Sequence, residues 1–173
     1  MINLKNKVRN IKDFPQKGII FRDITPILED RKSFRLMVES LLSKIKHLQV
    51  DKVVGIDARG FILAGILAEK LGTGMSIVRK AGKLPFKTEA EEYDLEYGKA
   101  KLEIHKDSIK PGERILLVDD VLATGGTMLA ATRLVERLNG KVVGLVFLVT
   151  LGYLPGKEKL ANYNLISLID YPK

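Results

Sequence analysis

One stretch, residues 115–128, constrains this chain more than any other; it reads ILLVDDVLATGGTM. Ile115, Leu116, Leu117 and Val118 follow the turn Lys110-Pro111-Gly112-Glu113 and form an unbroken aliphatic run, the pattern of a strand covered on both faces. A central parallel strand is predicted. It runs into two adjacent carboxylates, Asp119 and Asp120, then into Ala123-Thr124-Gly125-Gly126-Thr127, then into a segment of helical periodicity. The loop lacks bulky side chains, so its backbone N–H groups and two hydroxyls can close on a phosphate, and the helix N-terminus adds partial positive charge. A phosphate monoester suits that position. The carboxylates repel the same anion and must face another part of a ligand, with ribose hydroxyls and hydrated Mg²⁺ as natural partners. Two unit charges about 4 Å apart cost on the order of 4 kcal/mol at an effective dielectric near 20, so the pair calls for donors or positive charge beside it. A solvated strand end followed by a Gly-Gly turn accounts for the pair less well once the Thr-Gly-Gly-Thr loop is attached.

The same strand, turn and helix order occurs earlier. Val53-Val54-Gly55-Ile56 reads as a second buried strand, followed by the turn Asp57-Ala58-Arg59-Gly60 and the apolar helix FILAGILAEKL, closed by Gly72. An arginine in such a turn either holds an anion faced by the loop amides or pairs with Asp57 at the surface. Met75 to Val78 is a third strand, and Arg79, Lys80, Lys83 and Lys87 then stand in a segment broken by Gly82 and Pro85, which reads as a mobile basic loop or a solvated linker. Ala100 to Ile104 alternates like an antiparallel strand with one wet face, so a small hairpin should project from the main sheet. After the central motif come a helix over Met128–Leu138 stopped by Asn139-Gly140, a buried strand from Val142 to Val149, the loop Leu151–Gly156 and a last strand from Asn164 to Ile169.

Toward the N-terminus, Leu4, Val8 and Ile11 have the spacing of a short amphipathic helix over residues 3–12. Residues 14–28, FPQKGIIFRDITPIL, read as a loop with a hydrophobic centre, either a satellite of the core or the wall of a pocket for something flat and apolar. Ser33 to His47 is a core-facing helix, and His47 near its end is a surface residue. The fold class that results is α/β, a central mostly parallel sheet with helices on both faces, plus a small antiparallel hairpin and a flexible loop.

The 173 residues, 46% of them hydrophobic, suffice for one sizeable core, and one domain over 1–173 is expected. With no cysteine there is no thiolate metal site, and with no run near 18 apolar residues a soluble, cytoplasmic protein is expected. A net charge of +8 raises the question of nucleic acid. The lysines are dispersed and not interleaved with aromatics, so a solvated surface with attraction for a small phosphorylated substrate is the better account. No P-loop, dinucleotide fingerprint or histidine cluster is present.

LLVDDVLATGGT is similar to the phosphoribosyl-pyrophosphate (PRPP) fingerprint of type I phosphoribosyltransferases, and DDVLATGGT specifically resembles that of the adenine phosphoribosyltransferases. The likeness runs from about residue 11 to about residue 170 in five motifs in the right order. It implies a type I phosphoribosyltransferase-like fold and transfer of the 5-phosphoribosyl group from PRPP to adenine, giving AMP and pyrophosphate, in a Mg²⁺-dependent homodimer that uses neither nucleic acid nor membrane. DARGFILAG resembles the pyrophosphate loop, which implies contacts from Asp57, Ala58 and Arg59 and a cis Asp57–Ala58 peptide. RKAGKLP resembles the segment that brings Arg79, Lys80 and Lys83 to pyrophosphate, partly across a subunit boundary. By the same likeness Ala123, Thr124, Gly125, Gly126 and Thr127 hold the 5-phosphate, and Asp119 and Asp120 the ribose. YDLEYG resembles the acid and base segment of the family, which implies a place for Glu96 beside the base. FRD places Ile20, Phe21 and Arg22 around adenine, with Leu151 packing on it, and Thr150 stands where many relatives carry a glutamate or another hydrogen-bonding side chain. A 6-oxopurine phosphoribosyltransferase is the alternative enzyme, and a PRPP-sensing, DNA-binding regulator the alternative from another class.

Overall fold

The computed structural model describes residues 2–94 and 98–172. Its main sheet has seven strands, β3 (Lys52–Ile56), β4 (Gly74–Lys80), β5 (Thr88–Asp94), β6 (Lys99–His105), β7 (Arg114–Leu122), β8 (Lys141–Leu151) and β9 (Leu165–Tyr171), in the order β5-β6-β4-β3-β7-β8-β9. From β4 to β9 all neighbours are parallel, while β6 pairs antiparallel with both β4 and β5. Ahead of the sheet lie a two-stranded antiparallel ribbon of β1 (Arg9–Lys12) and β2 (Ile20–Asp23), then α1 (Thr25–Glu29) and α2 (Arg31–Ile45). The other helices are α3 (Gly60–Leu71), α4 (Gly126–Arg137) and the single turn α5 (Gly156–Lys159).

The aliphatic run of β7 divides its side chains between two cores because side chains alternate across a strand. Leu116 and Val118 pack with Met37, Leu41, Leu63 and Leu67 of α2 and α3, whereas Ile115 and Leu117 pack with Met128, Ala131, Leu134 and Val135 of α4. All of these are essentially inaccessible to solvent. Helices thus cover both faces, which is why the central strands show no polar alternation.

Three segments differ from the sequence expectation. The 3–12 segment is not one helix: only Leu4–Lys7 is helical, as a 3₁₀ turn, and Arg9–Lys12 is a strand. Leu4 and Val8 are buried as a helix would bury them, but Ile11 is exposed, because the chain turns to pair with β2. The 14–28 segment is more regular than a loop, since Pro26 sits in the first turn of α1, where a missing N–H costs nothing. The hairpin of β5 and β6 does not project from the sheet but extends it, through Arg79↔Glu103 and Lys80↔Leu102. Arg79 and Lys80 therefore stand on a strand, and the basic loop begins after them.

Candidate functional site

Parallel strands carry their C-terminal ends to one edge of the sheet, and the predicted motifs meet there. From β7 the chain passes Asp119 and Asp120, both still in the strand, and turns through Ala123 and Thr124 to Gly125, whose φ of 80° opens α4. Among the described residues no side chain caps α4, and none caps α3, whose N-terminus follows Arg59. Two helix N-termini with amides free of side-chain caps suit a ligand with two anionic groups. Gly60 lets α3 approach closely: a Cβ there would stand 2.8 Å from the Val118 carbonyl oxygen and 3.0 Å from Asp119 Oδ1. Gly156 does the same for the 123–127 loop, since its N–H donates to the Ala123 carbonyl at 3.1 Å and a Cβ would lie 2.3 Å from that oxygen.

A cavity of about 400 Å³ between these turns is lined by Asp57, Ala58, Arg59, Lys80, Tyr93, Leu102, Asp119, Asp120 and Thr127. The Asp57–Ala58 peptide is cis. Arg59 Nε donates to Asp120 Oδ2, and Arg79 Nε donates to Asp57 Oδ2 at 3.0 Å, with Lys83 Nζ 4.0 Å from the same oxygen. The acidic and basic residues singled out in the sequence therefore form interleaved pairs within one chain. Asp119 makes no ion pair among the described residues: burial, then the neighbouring Asp120, push its carboxyl well above the usual carboxylate range, although the Asp120 N–H, which donates to its Oδ1 at 2.8 Å, and the charge of Arg59 act the other way. Mg²⁺ fits this donor set only as an ion held largely by ligand oxygens and water. Asp57 and Asp120 are engaged by arginines, and among the described residues no group of three or more metal-binding side chains occurs.

A second cavity, of about 570 Å³, adjoins the first and is walled mainly by apolar groups, among them Ile20, Phe21, Val121, Leu151, Tyr153 and Leu154. Arg59 lines both cavities, with its guanidinium carbon 5.2 Å from the centroid of the Phe21 ring. Arg22 also lines the apolar cavity, but its side chain is committed elsewhere, to Asn10 Oδ1 and to the ring of Tyr171. Its main chain is what remains for a ligand. Thr150 does not face this space: it is fully buried and donates to Asp170 Oδ1 at 2.8 Å. Val121, Tyr153, Leu154 and Tyr93 were not singled out by sequence; Tyr153 and Leu154 share a loop with Leu151, the one signal that pointed toward them. Glu96 lies outside the described residues.

The phosphoribosyl transferase domain family matches residues 27–169. A curated adenine phosphoribosyltransferase from Christiangramia forsetii is 52% identical over 170 residues, covering 98% of this chain and 99% of the relative. The chain belongs to the adenine phosphoribosyltransferase family. Membership extends past the domain match, because β2 lies before residue 27 and the full-length relatives of this family cover it; that from Thermosipho melanesiensis is 50% identical over 98% of this chain and 97% of its own. Among solved structures of the family, that from Thermoanaerobacter pseudethanolicus superposes with a TM-score of 0.95 at 48% identity, over 97% of this chain and 98% of its own. The enzyme from Giardia lamblia, solved with 9-deazaadenine, gives 0.93 at 38% identity, over 98% and 97%.

Proposed function

We propose that this chain, as one phosphoribosyltransferase domain over residues 1–173, transfers the 5-phosphoribosyl group of PRPP to adenine. The N9–C1 bond forms, the bond from C1 to pyrophosphate breaks, and the N9 proton passes to Glu96. The observation that carries the reading is the shared wall: Arg59 pairs with Asp120 in the cavity of carboxylates and uncapped helix ends, and lies over Phe21 in the apolar one. A flat base in the second cavity then meets a phosphorylated sugar in the first.

In this reading Ala123, Thr124, Gly125, Gly126 and Thr127 hold the 5-phosphate at the α4 N-terminus. Asp119 and Asp120 accept from the ribose hydroxyls, and their charge favours the cation that develops on the ring. The 57–59 turn with Arg79, Lys80 and Lys83 receives pyrophosphate as Asp57 releases its partners. Mg²⁺, carried by the oxygens of PRPP and by water, would supply positive charge to the leaving pyrophosphate. Main-chain groups of Ile20 and Arg22 select the 6-amino group, while Phe21 and Leu151 pack on the rings. Residues 79–95 cover the reacting carbon and exclude water.

The dispersed positive charge attracts the anionic substrate and calls for no nucleic acid, and the assignment to the cytoplasm accords with a cysteine-free chain acting on soluble phosphorylated metabolites. Among the described residues no helix is long and apolar enough to cross a membrane. A homodimer in which Arg79 or Lys83 reaches the neighbour's site completes the reading, and sedimentation at assay concentration measures it.

The test compares adenine, hypoxanthine and guanine at saturating PRPP. A site built to accept from an amine leaves its acceptor unpaired against a 6-oxo group, so adenine should lead by at least about a hundredfold in kcat/KM. Comparable efficiency with hypoxanthine overturns the choice of base and leaves phosphoribosyl transfer standing.

A further inference from the structure

We propose that Tyr171, in the last strand, is a positioning residue for the apolar cavity, bracing both of its walls without lining it; this rests on the reading of that cavity as the adenine site. One wall is β2. The Arg22 guanidinium carbon lies 4.0 Å from the centroid of the Tyr171 ring, and Arg22 Nε is buried with no hydrogen-bond partner among the described residues. The ring face supplies the electrostatic compensation that a hydrogen bond does not. Lys5 Nζ stands 4.6 Å from the centroid of the same ring. The opposite wall is the end of β8, where Leu151 pairs in register with Tyr171, and the next residue, Gly152, donates its N–H to the Tyr171 carbonyl at 2.7 Å. A Cβ on Gly152 would stand 3.1 Å from that oxygen.

The need for such a brace follows from the fold. Among the described residues β2 pairs only with β1, and a two-stranded ribbon is marginal by itself, so its place relative to the main sheet depends on contacts like that of Arg22 with Tyr171. Around the carboxylate cavity, Asp119 and Asp120 stand on β7, Thr127 on α4, Asp57 to Arg59 in the turn joining β3 to α3, and Lys80, Tyr93 and Leu102 on β4, β5 and β6; β3, β7, α3 and α4 are fixed by the two cores instead. Loss of the ring should therefore loosen the base side of the site and spare the PRPP side.

The experiment measures KM for adenine and for PRPP separately in Tyr171→Leu, which keeps bulk without a ring, and in Tyr171→Phe, which keeps the ring. The leucine variant should raise the adenine KM by at least about fivefold with the PRPP KM within about twofold, and the phenylalanine variant should match wild type. Gly152→Ala, which presses a methyl group on the Tyr171 carbonyl, should give the same split by a second route and serves if the leucine variant does not fold. An unchanged adenine KM, both KM values rising together, or a phenylalanine variant as impaired as leucine overturns the proposal. Phe21→Ala in parallel separates the two readings. If it leaves the adenine KM unchanged, the base cavity itself is misassigned; if it raises that KM while Tyr171→Leu does not, only the role of Tyr171 falls.

Discussion

At the scale of single residues, Asp119 and Asp120 are neighbours with opposite circumstances. Asp120 is buried against Arg59, whereas Asp119 is left with a carboxyl raised by burial and by Asp120. A carboxylate whose pKa is higher folded than unfolded lowers stability as pH rises from its unfolded value, near 3.8, toward the raised one, and the cost persists at neutral pH. Asp119→Asn should accordingly raise Tm by about 2–4 °C, the response of a chain this size to about 1 kcal/mol. The same variant should lower kcat/KM by at least about tenfold, because in the proposed function the charge that strains the free protein is the one that serves the ribose. Thermal melts and steady-state kinetics on one preparation check both, and a variant that loses stability contradicts the account.

Among the elements, the 123–127 loop and the hairpin are both held by α4 and its surroundings. Gly156, in the short α5, packs on the Ala123 carbonyl so tightly that Gly156→Ala must displace the 123–127 loop. The PRPP KM should rise by about tenfold or more while the adenine KM stays near wild type. On the other side of α4, Arg133 and Arg137 bind the hairpin: Arg133 Nη1 lies 3.1 Å from Glu91 Oε1, and Arg137 pairs with Glu89 and Glu91 and donates to the Ala90 carbonyl at 2.8 Å. These contacts seat Tyr93 against Gly126, where a Cβ would come within 3.3 Å of the ring. Arg137→Gln should cost on the order of 1 kcal/mol and speed amide exchange in residues 88–94, the effect fading as salt screens the wild-type pairs.

Over the whole molecule, the two ends of the sheet carry different electrostatics. The edge with the cavities bears the perturbed Asp119, while the opposite edge is closed by satisfied pairs at the starts of β3 and β7. Lys52 lies 2.9 Å from Glu113, both largely buried, and Arg114 lies 2.7 Å from Asp51. Burial alone would raise the Glu113 carboxyl, but the Lys110 N–H, the Lys52 ammonium and their charges outweigh it and hold the group below its usual value. Its folded pKa being depressed, Glu113 contributes stability that is complete above about pH 4.5 and is lost as pH falls toward the folded value. Glu113→Gln should lose about 1 kcal/mol at pH 7, since Lys52 keeps the Ser108 carbonyl as a partner, and its stability should fall less steeply on acidification. Urea melts at pH 7, 5 and 4 read both quantities.

The strand, turn and helix units are legible in the order of the amino acids, because each is a local object. A strand covered on both faces must be aliphatic along its whole length, as at 53–56, 115–118 and 142–149, and the turn that follows needs small residues and charges in a fixed order, as at 57–60 and 119–127. Whatever depends on segments far apart in the chain meeting emerges from packing instead. The 3–12 segment has helical spacing, yet pairing with 20–23 made residues 9–12 a strand, and Lys80 proved to belong to a strand because β6 came to pair with it. Gly156 against Ala123, Tyr93 against Gly126 and Tyr171 between Arg22 and Gly152 are contacts across the fold, with no periodicity or local motif to announce them. Local patterns record the environment a residue needs along its own element, and only packing fixes which distant residue supplies it.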